Sequence, residues 1–499
     1  MGRIARRISG GAALALLATG ALAQAQDGRV FTKTYEDGAV YEGTFQDGLQ
    51  HGTGLYRLPD GYEYEGEWVE GEIEGQGVAR FPGGAVYEGA FQAGRPHGRG
   101  RIAYPDGGAY EGGWVEGEIE GEGVARHPDG TTYEGAFENG QRHGTGRMEA
   151  PSGYAYEGDW VAGEREGRGT VRYASGATYE GAVSGGLRHG EGTLTLPDGH
   201  VYEGSWASGQ LSGEGRHAAP DGATYEGAFV EGRREGQGVL RLADGSTYTG
   251  AFAADQRHGE GVLERPDGYR YEGPWAEGRP EGEGRATYPD GSTYAGAFRD
   301  GLPEGQGRID YPDDTSYEGE WRAGVIEGTG RAVYGDGMIY EGRFAGARIE
   351  GEGRMTYPDG YAYEGQWRAG QRHGEGRATY PDGTTYEGGF ADGLRHGRGA
   401  LETPEGFRYE GEWAQGAIEG EGVATYADGT VYEGSWSAGR RQGEGTIRYA
   451  TGETATGRWQ ADALVDKEPP SAEEEATEAS APAAADGRAE APAAAADGG

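Results

Sequence analysis

The sequence predicts an all-β protein, an elongated repeat ribbon or solenoid of consecutive antiparallel β-hairpins with 23 residues in each repeat. A tyrosine recurs at this spacing in 18 copies, from Tyr41 to Tyr432, without an insertion or deletion. Glycine follows that tyrosine by two, eleven and thirteen residues in every copy, and Phe or Trp follows it by four in every copy but one. A unit this short cannot bury its own apolar face, so successive copies must stack on one another.

The first half of each copy has the alternation of a β-strand with one buried side. In the copy that begins at Tyr64, the side chains of Tyr64, Gly66 and Trp68 share one face, whereas Glu65 and Glu67 share the other. We therefore predict a strand whose aromatic face is buried and whose glutamate face is solvated.

The second half of each copy predicts the return strand of a hairpin. Glycine and apolar residues fall on one face at positions eleven to seventeen after the tyrosine, as in Gly305, Gly307, Ile309 and Tyr311. A glycine seven residues after the tyrosine, such as Gly71, marks the first turn. The recurrent Pro-Asp-Gly at 289–291 marks the connection to the next copy, because proline presets a turn dihedral and glycine accepts positive φ.

Two inward glycines in each return strand need a compensating reason, since glycine normally weakens a strand. We expect the aromatic rings of a neighbouring strand to lie flat across these glycines, for example across Gly75 and Gly77, where a larger side chain would collide. On this interpretation the invariant positions are structural and not catalytic.

The repeated pattern resembles the MORN repeat, named for "membrane occupation and recognition nexus". The segment YEGQWRAGQRHGEG, which begins at Tyr363, illustrates it. The resemblance covers residues 29–460, as about 18 full repeats with half-repeat caps. The repeat positions that carry it are, in two copies, Tyr64, Gly66, Trp68, Gly71, Gly75 and Gly77, and Tyr363, Gly365, Trp367, Gly370, Gly374 and Gly376. It implies a ribbon used as a scaffold, a dimerisation element or a contact surface for proteins and sometimes lipids, without an activity of its own.

The two ends of the chain differ from the repeats. Residues 1–25 carry Arg3, Arg6 and Arg7 before a short Ala/Leu segment, which predicts a secretory signal peptide, with Sec or twin-arginine export left open. We therefore expect an exported protein, periplasmic, extracellular or on the cell surface. A half repeat at 31–38 should cap the array, and residues 461–499, rich in Ala, Pro and Glu, should be a disordered acidic tail.

The charge of the chain excludes one class of partner. The formal net charge is -39, and all but two of the 45 basic residues are arginine. So acidic a surface repels nucleic acid, and it also disfavours anionic lipid headgroups. Alternate copies carry an arginine and a histidine near the first turn, as at Arg95, Arg142 and Arg188, and the copies between them carry acidic residues there. This alternation predicts a solvated salt-bridge ladder along one edge.

We find no sequence signature of catalysis, of a metal site or of a cofactor. His51, His97, His143 and His189 stand two repeats apart, which is roughly 19 Å at the usual strand spacing. They are too distant to share an ion. Cysteine is absent, which excludes disulfides and thiol chemistry.

The sequence therefore predicts a non-enzymatic exported scaffold of about 36 strands, on the order of 170 Å long, that presents a repetitive β surface to protein partners or to itself. Two alternatives remain: binding of glycan or cell wall through uncovered aromatic faces, and association with membrane lipid. No segment is long enough to span a bilayer. How the aromatic face is covered is left open between curling, pairing with a second molecule and packing of rings on glycine.

Overall fold

The computed structural model describes residues 28–467, and every regular element in that range is a β-strand. This confirms the predicted all-β class and the 23-residue hairpin repeat. The strands form two units, one on each side of the bond between Asp255 and Gln256. The predicted signal peptide at 1–25 and the tail from 468 onward lie outside the described residues.

The first unit is a meander in which each strand pairs antiparallel with the strand before it in the chain. Its strands are β1 (Phe31–Thr34), β2 (Val40–Gln46), β3 (Leu49–Arg57), β4 (Glu63–Val69), β5 (Glu72–Arg80), β6 (Val86–Gln92), β7 (Arg95–Ala103), β8 (Ala109–Val115), β9 (Glu118–Arg126), β10 (Thr132–Glu138), β11 (Gln141–Glu149), β12 (Ala155–Val161), β13 (Glu164–Arg172), β14 (Thr178–Ser184), β15 (Leu187–Thr195), β16 (Val201–Ala207), β17 (Gln210–Ala218), β18 (Thr224–Val230), β19 (Arg233–Arg241) and β20 (Thr247–Ala253).

The second unit repeats the same antiparallel meander, except that β22 pairs with both β23 and β24. Its strands are β21 (Gln256–Glu264), β22 (Arg270–Ala276), β23 (Arg279–Pro280), β24 (Gly282–Thr287), β25 (Thr293–Arg299), β26 (Leu302–Asp310), β27 (Ser316–Arg322), β28 (Val325–Val333), β29 (Ile339–Ala345), β30 (Arg348–Thr356), β31 (Ala362–Arg368), β32 (Gln371–Thr379), β33 (Thr385–Ala391), β34 (Leu394–Glu402), β35 (Arg408–Ala414), β36 (Ala417–Thr425), β37 (Val431–Ser437), β38 (Arg440–Arg448), β39 (Thr454–Gln460) and β40 (Ala463–Lys467).

Both predicted turns are present, and each has a defined geometry. Glu70 (φ 50°) and Gly71 (φ 90°) form the first turn, with the two left-handed residues of a type I′ hairpin. At the connection, the N–H of Gly61 donates to the carbonyl of Leu58 at 3.1 Å, and the N–H of Leu58 donates to the carbonyl of Tyr62 at 2.8 Å. Gly61 has φ 96°, which is the left-handed position of a three-residue hairpin loop.

The strand count and one boundary differ from the prediction. The described residues contain 40 strands and not about 36. The excess comes from the terminal strands β1, β39 and β40, and from a break at Glu281, whose partner on the opposite strand is Pro274, a residue with no N–H to donate. The predicted tail boundary at 461 is also wrong, because β40 pairs with β39 through Trp459 and Leu464.

Candidate binding surface

The repeated tyrosine sits on two glycines of its own hairpin, on the inner face of the sheet. Tyr64 has no solvent exposure. A Cβ atom placed on either Gly66 or Gly77 would collide with its ring. These two glycines are paired across β4 and β5, so together they form a flat seat. Tyr363 lies in the same way over Gly365 and Gly376. Of the glycines predicted to lie under a ring, Gly77 and Gly376 do so, and the glycine two residues after the tyrosine completes the seat. The copy of Tyr202 differs, because its ring stacks on His217 and is not among the atoms nearest to Gly204 or Gly215.

The glycine eleven residues after the tyrosine was assigned to the ring seat, and that assignment is wrong. Gly75 has φ +75° and Gly374 has φ +63°, and a Cβ at Gly75 would meet the side chain of Glu67 on the outer face. The cause is a bulge. Because Gly66 pairs with Gly77 while Trp68 pairs with Ile73, three residues of β5 stand opposite Glu67 alone. The left-handed backbone at Gly75 reverses the alternation of faces that the sequence predicts.

The inner rings form edge-to-face pairs within hairpins and between neighbouring hairpins, with an interruption at Val183, where a copy has no ring at that position. The Tyr64 ring lies 5.7 Å from Trp68 of its own hairpin and 5.0 Å from Phe91 of the next, with interplanar angles near 80°. Its hydroxyl donates to the carbonyl of Glu67 at 3.0 Å, and the indole N–H of Trp68 donates to the carbonyl of Gly54 at 3.4 Å. Each polar atom of a buried ring therefore has a partner. Rings on glycine and rings on rings cover the aromatic face in both copies, since Trp68 and Trp367 are each only 5% exposed.

Several of the arginines assigned to a solvated ladder belong instead to this inner face. Arg95 fits the ladder, since it is exposed and lies 3.9 Å from Glu116. Arg142, nine residues after its tyrosine, places its guanidinium 4.2 Å from the centre of the Trp160 ring and donates to the carbonyl of Gly163 at 3.0 Å. The arginines that lie over a tryptophan of the following hairpin in this way, at 4.2 to 4.5 Å, are Arg142, Arg188, Arg257, Arg395 and Arg441.

The opposite face of the first unit carries a groove of about 1010 Å³. We call it the acidic groove. Its carboxylate-bearing lining residues are Glu122, Glu134, Glu157, Glu180, Glu191 and Glu203. Arg147 and Arg168 also line it, and its floor is the backbone of the paired inner glycines, such as Gly158 and Gly169. The same glycines thus seat a tyrosine ring on one side and keep the floor of the groove free of side chains on the other.

In the second unit, a row of partly exposed tyrosines lies at the end of five successive return strands. These are Tyr288, Tyr311, Tyr334, Tyr357 and Tyr380, each seventeen residues after the repeat tyrosine. Tyr357 and Tyr380 both contact Tyr361, with ring centres 5.2 Å apart in each case. Burial raises the pKa of Tyr288 to about 12 and also raises the pKa of Tyr311.

Residues 28–467 contain neither a cluster of metal-ligating side chains nor a membrane-spanning helix. No group of three or more His, Cys, Asp or Glu side chains is arranged there to hold a metal ion. Within the same range, we find no helical segment with the length and hydropathy needed to cross a bilayer.

This geometry defines a β-hairpin repeat protein with a packed aromatic face and an open polar face. The family model of the MORN repeat matches 18 segments in tandem, from 41–61 to 432–454. The chain therefore belongs to the MORN repeat family.

The chain also has a remote likeness to several solved structures. No curated protein matches the chain. The TCP domain of SAS-4 from Drosophila melanogaster, solved with a proline-rich motif of Ana2, is 16% identical; the match covers 39% of this chain and 86% of that one, with a TM-score of 0.19. The wild-type TCP10 domain of CPAP from Danio rerio is 16% identical over 51% of this chain and 92% of its own, with a TM-score of 0.15. A streptogramin B lyase is 13% identical over 63% and 90%, with a TM-score of 0.11.

Proposed function

We propose that this protein is a non-enzymatic, exported scaffold that binds protein partners through the acidic groove of its first unit. The observation that carries the proposal is the periodic row of exposed glutamates above a floor without side chains. Glu134, Glu157, Glu180 and Glu203 occupy the same position in four consecutive copies. Equivalent carboxylates in successive hairpins stand about 10 Å apart at ordinary strand spacing. An extended polypeptide with lysine or arginine along one side fits such a row.

Packing of the inner face leaves the outer face for binding. The positions that never vary within the chain are the tyrosine and the glycines, which are occupied by packing or by turn geometry. The outer face presents the remaining side chains, among them the glutamate that follows the tyrosine in every copy except at Thr249 and Ala295, and a repeat protein can bind partners through such an exposed face. A net charge of -39 adds long-range attraction for a cationic partner.

A fluorescence anisotropy titration with a labelled lysine-rich peptide tests the proposal. We expect the full chain to bind the peptide, and we expect replacement of Glu134, Glu157, Glu180 and Glu203 by Gln to weaken binding at least about tenfold, since several rim charges are lost at once. The matched control replaces Glu42, Glu65, Glu88 and Glu111 by Gln. These residues hold the same position in earlier copies and do not line the groove. Equal weakening by both sets would reduce the effect to net charge and would contradict the proposal.

Export is tested separately. We expect a tagged full chain to be recovered outside the cytoplasm, and a chain without residues 1–25 to remain inside. Recovery of both forms in the cytoplasmic fraction would refute this part of the proposal.

A second candidate function, glycan binding, is favoured by the tyrosine row of the second unit. Partly exposed rings repeated at one spacing can stack on the flat faces of sugars. Co-sedimentation with purified peptidoglycan tests it, using a variant in which Tyr311, Tyr334 and Tyr357 become Thr, the residue that Thr403 provides at this position. The control is Tyr104→Thr in the first unit. Absence of co-sedimentation of the unmodified chain would remove this candidate.

A further inference from the structure

Two histidines in the first unit face one another edge to edge. Nδ1 of His200 lies 2.9 Å from Nε2 of His217. The ring planes are within 14° of parallel, yet the ring centres are 5.1 Å apart. Because the two nitrogens are much closer together than the two ring centres, the rings meet at their edges. The N–H of one ring therefore points at the unprotonated nitrogen of the other. His217 also lies flat against Tyr202, with centres 4.4 Å apart and an interplanar angle of 13°.

The pair occupies a place that other copies fill with uncharged residues. His200 stands two residues before the repeat tyrosine, and His217 stands fifteen after it. In the preceding copy these two positions carry Ala177 and Leu194, which are both buried. The imidazole pair therefore stands where the preceding copy has two buried apolar side chains.

The charged groups around the pair come from three neighbouring elements. Asp198, in the same turn as His200, accepts the backbone N–H of His200 at 3.2 Å, and Asp221 lies in the turn after β17. Arg234 of β19 contributes positive charge, but its guanidinium is held by Asp255 at 3.2 Å. Burial, together with the positive charges of His200 and Arg234, lowers the pKa of His217.

We propose that the His200–His217 pair is a pH-dependent contact between β16 and β17. It holds the two strands together while one of the two facing nitrogens is unprotonated, and it weakens their pairing when both rings are fully protonated. When the neutral pair takes up one proton, an N–H of one ring still faces an unprotonated nitrogen of the other, so the hydrogen bond persists. A second proton places two N–H groups and two positive charges against each other.

The direction of the pH effect follows from the lowered pKa of His217. An unfolded histidine takes up a proton as the pH falls through about 6.5. The folded His217 resists until a lower pH, so over that interval the unfolded or opened state binds more protons. Stability of this hairpin is therefore full above the ordinary histidine pKa and declines below it.

Hydrogen exchange of the full chain at about pH 7.5 and about pH 5 tests this pH-dependent contact, with rates corrected for intrinsic pH dependence. We expect peptides covering β16 and β17 to lose about tenfold in protection at the lower pH. The double variant His200→Ala/His217→Leu, which recreates the Ala177 and Leu194 pair, should lose none. Equal loss in both proteins would overturn the proposal.

A second readout does not depend on the variant. In NMR titrations of the unmodified chain, we expect the His217 imidazole to take up its proton at a lower pH than an unfolded histidine does, and the amides of β16 and β17 to change in that step. Protonation of His217 at an ordinary value, without a change in those amides, would also overturn the proposal.

Discussion

The repeat tyrosine is the residue on which most of the packing depends. Its ring fills the space left by two absent side chains, touches two other rings and donates its hydroxyl to a backbone carbonyl three residues later. Tyr133, for example, has no solvent exposure, lies 5.0 Å from Phe137 and donates to the carbonyl of Ala136 at 2.9 Å. Aromatic pairs of this kind contribute about 0.5 to 1.5 kcal/mol beyond their buried area.

Gly77→Ala should destabilise its hairpin by about 1 to 3 kcal/mol, because the added methyl group overlaps the Tyr64 ring and forces overpacking. The matched control is Gly83→Ala, where the added methyl group meets open space, and which should change stability by less than about 0.5 kcal/mol. Denaturant unfolding measures both. A neutral Gly77→Ala would show that the ring is not seated there.

Alkaline pH should unfold the array through its tyrosines. Burial raises the pKa of Tyr133 and Tyr340 to about 12, whereas an unfolded tyrosine ionises near 10. The stabilising contribution of such a residue is complete below about pH 10 and is lost as the pH rises toward the folded value. We expect tyrosinate absorbance and loss of β-sheet circular dichroism to rise together. Tyrosine ionisation that precedes the loss of structure would contradict the account.

The hairpin shows which features of an element can be predicted from its sequence. The strands, both turns and the ring seat at Gly77 follow from period-two alternation and glycine placement, whereas the part of Gly66 in that seat was not predicted. The bulge at Gly75 does not, because a two-residue alternation gives no sign of extra residues on one strand. The inward arginines were missed as well, because a charged side chain is normally assigned to the solvated face, although Arg142 holds the repeat position that Ile73 and Ile119 occupy elsewhere.

Three residues other than glycine show that the turn positions require a left-handed backbone. Asp255, Asp314 and Ala347 replace expected glycines and have φ of 70°, 65° and 61°. We predict that Ala347→Gly stabilises the protein by about 1 kcal/mol, because it removes the Cβ strain of that conformation. Ala345→Gly, at the end of β29, should instead destabilise by about 0.5 to 1 kcal/mol. Thermal unfolding of the two variants should shift in opposite directions, and shifts in the same direction would refute the assignment.

Substitution of Arg395 tests whether the inner arginines stabilise the fold by packing on tryptophan. It is 3% exposed, lies 4.4 Å from the centre of the Trp413 ring and donates to the carbonyl of Gly416 at 3.0 Å. Arg395→Ala should cost about 2 kcal/mol through lost packing and the lost cation–π contact. Arg395→Ile should cost less than about 1 kcal/mol, since Ile418 fills the equivalent place in the next copy and a buried cation is removed. Denaturant unfolding measures the stability of both variants. An equal loss in Arg395→Ala and Arg395→Ile would show that Arg395 stabilises the fold through its charge alone.

At the scale of the whole molecule, the two faces of the array have different roles. The inner face is specified by the repeat itself, which is why the family and fold class could be predicted from the sequence. The acidic groove and the His200–His217 pair could not, because each depends on which side chains the strands bring together across separate copies. The repeat also specifies the outer glutamate that follows the tyrosine in all copies except at Thr249 and Ala295, and the proposed function assigns partner binding to this outer face.

A substitution library over residues 132–204, scored for both folding and binding, tests this division most directly. Protease resistance would report folding, and capture by the lysine-rich peptide would report binding. We predict that changes at Tyr133, Tyr156 and Tyr179 lower both scores, whereas changes at Glu134, Glu157 and Glu180 lower binding alone. Folded variants with altered inner tyrosines and lost binding, or full binding after loss of the groove glutamates, would contradict the account.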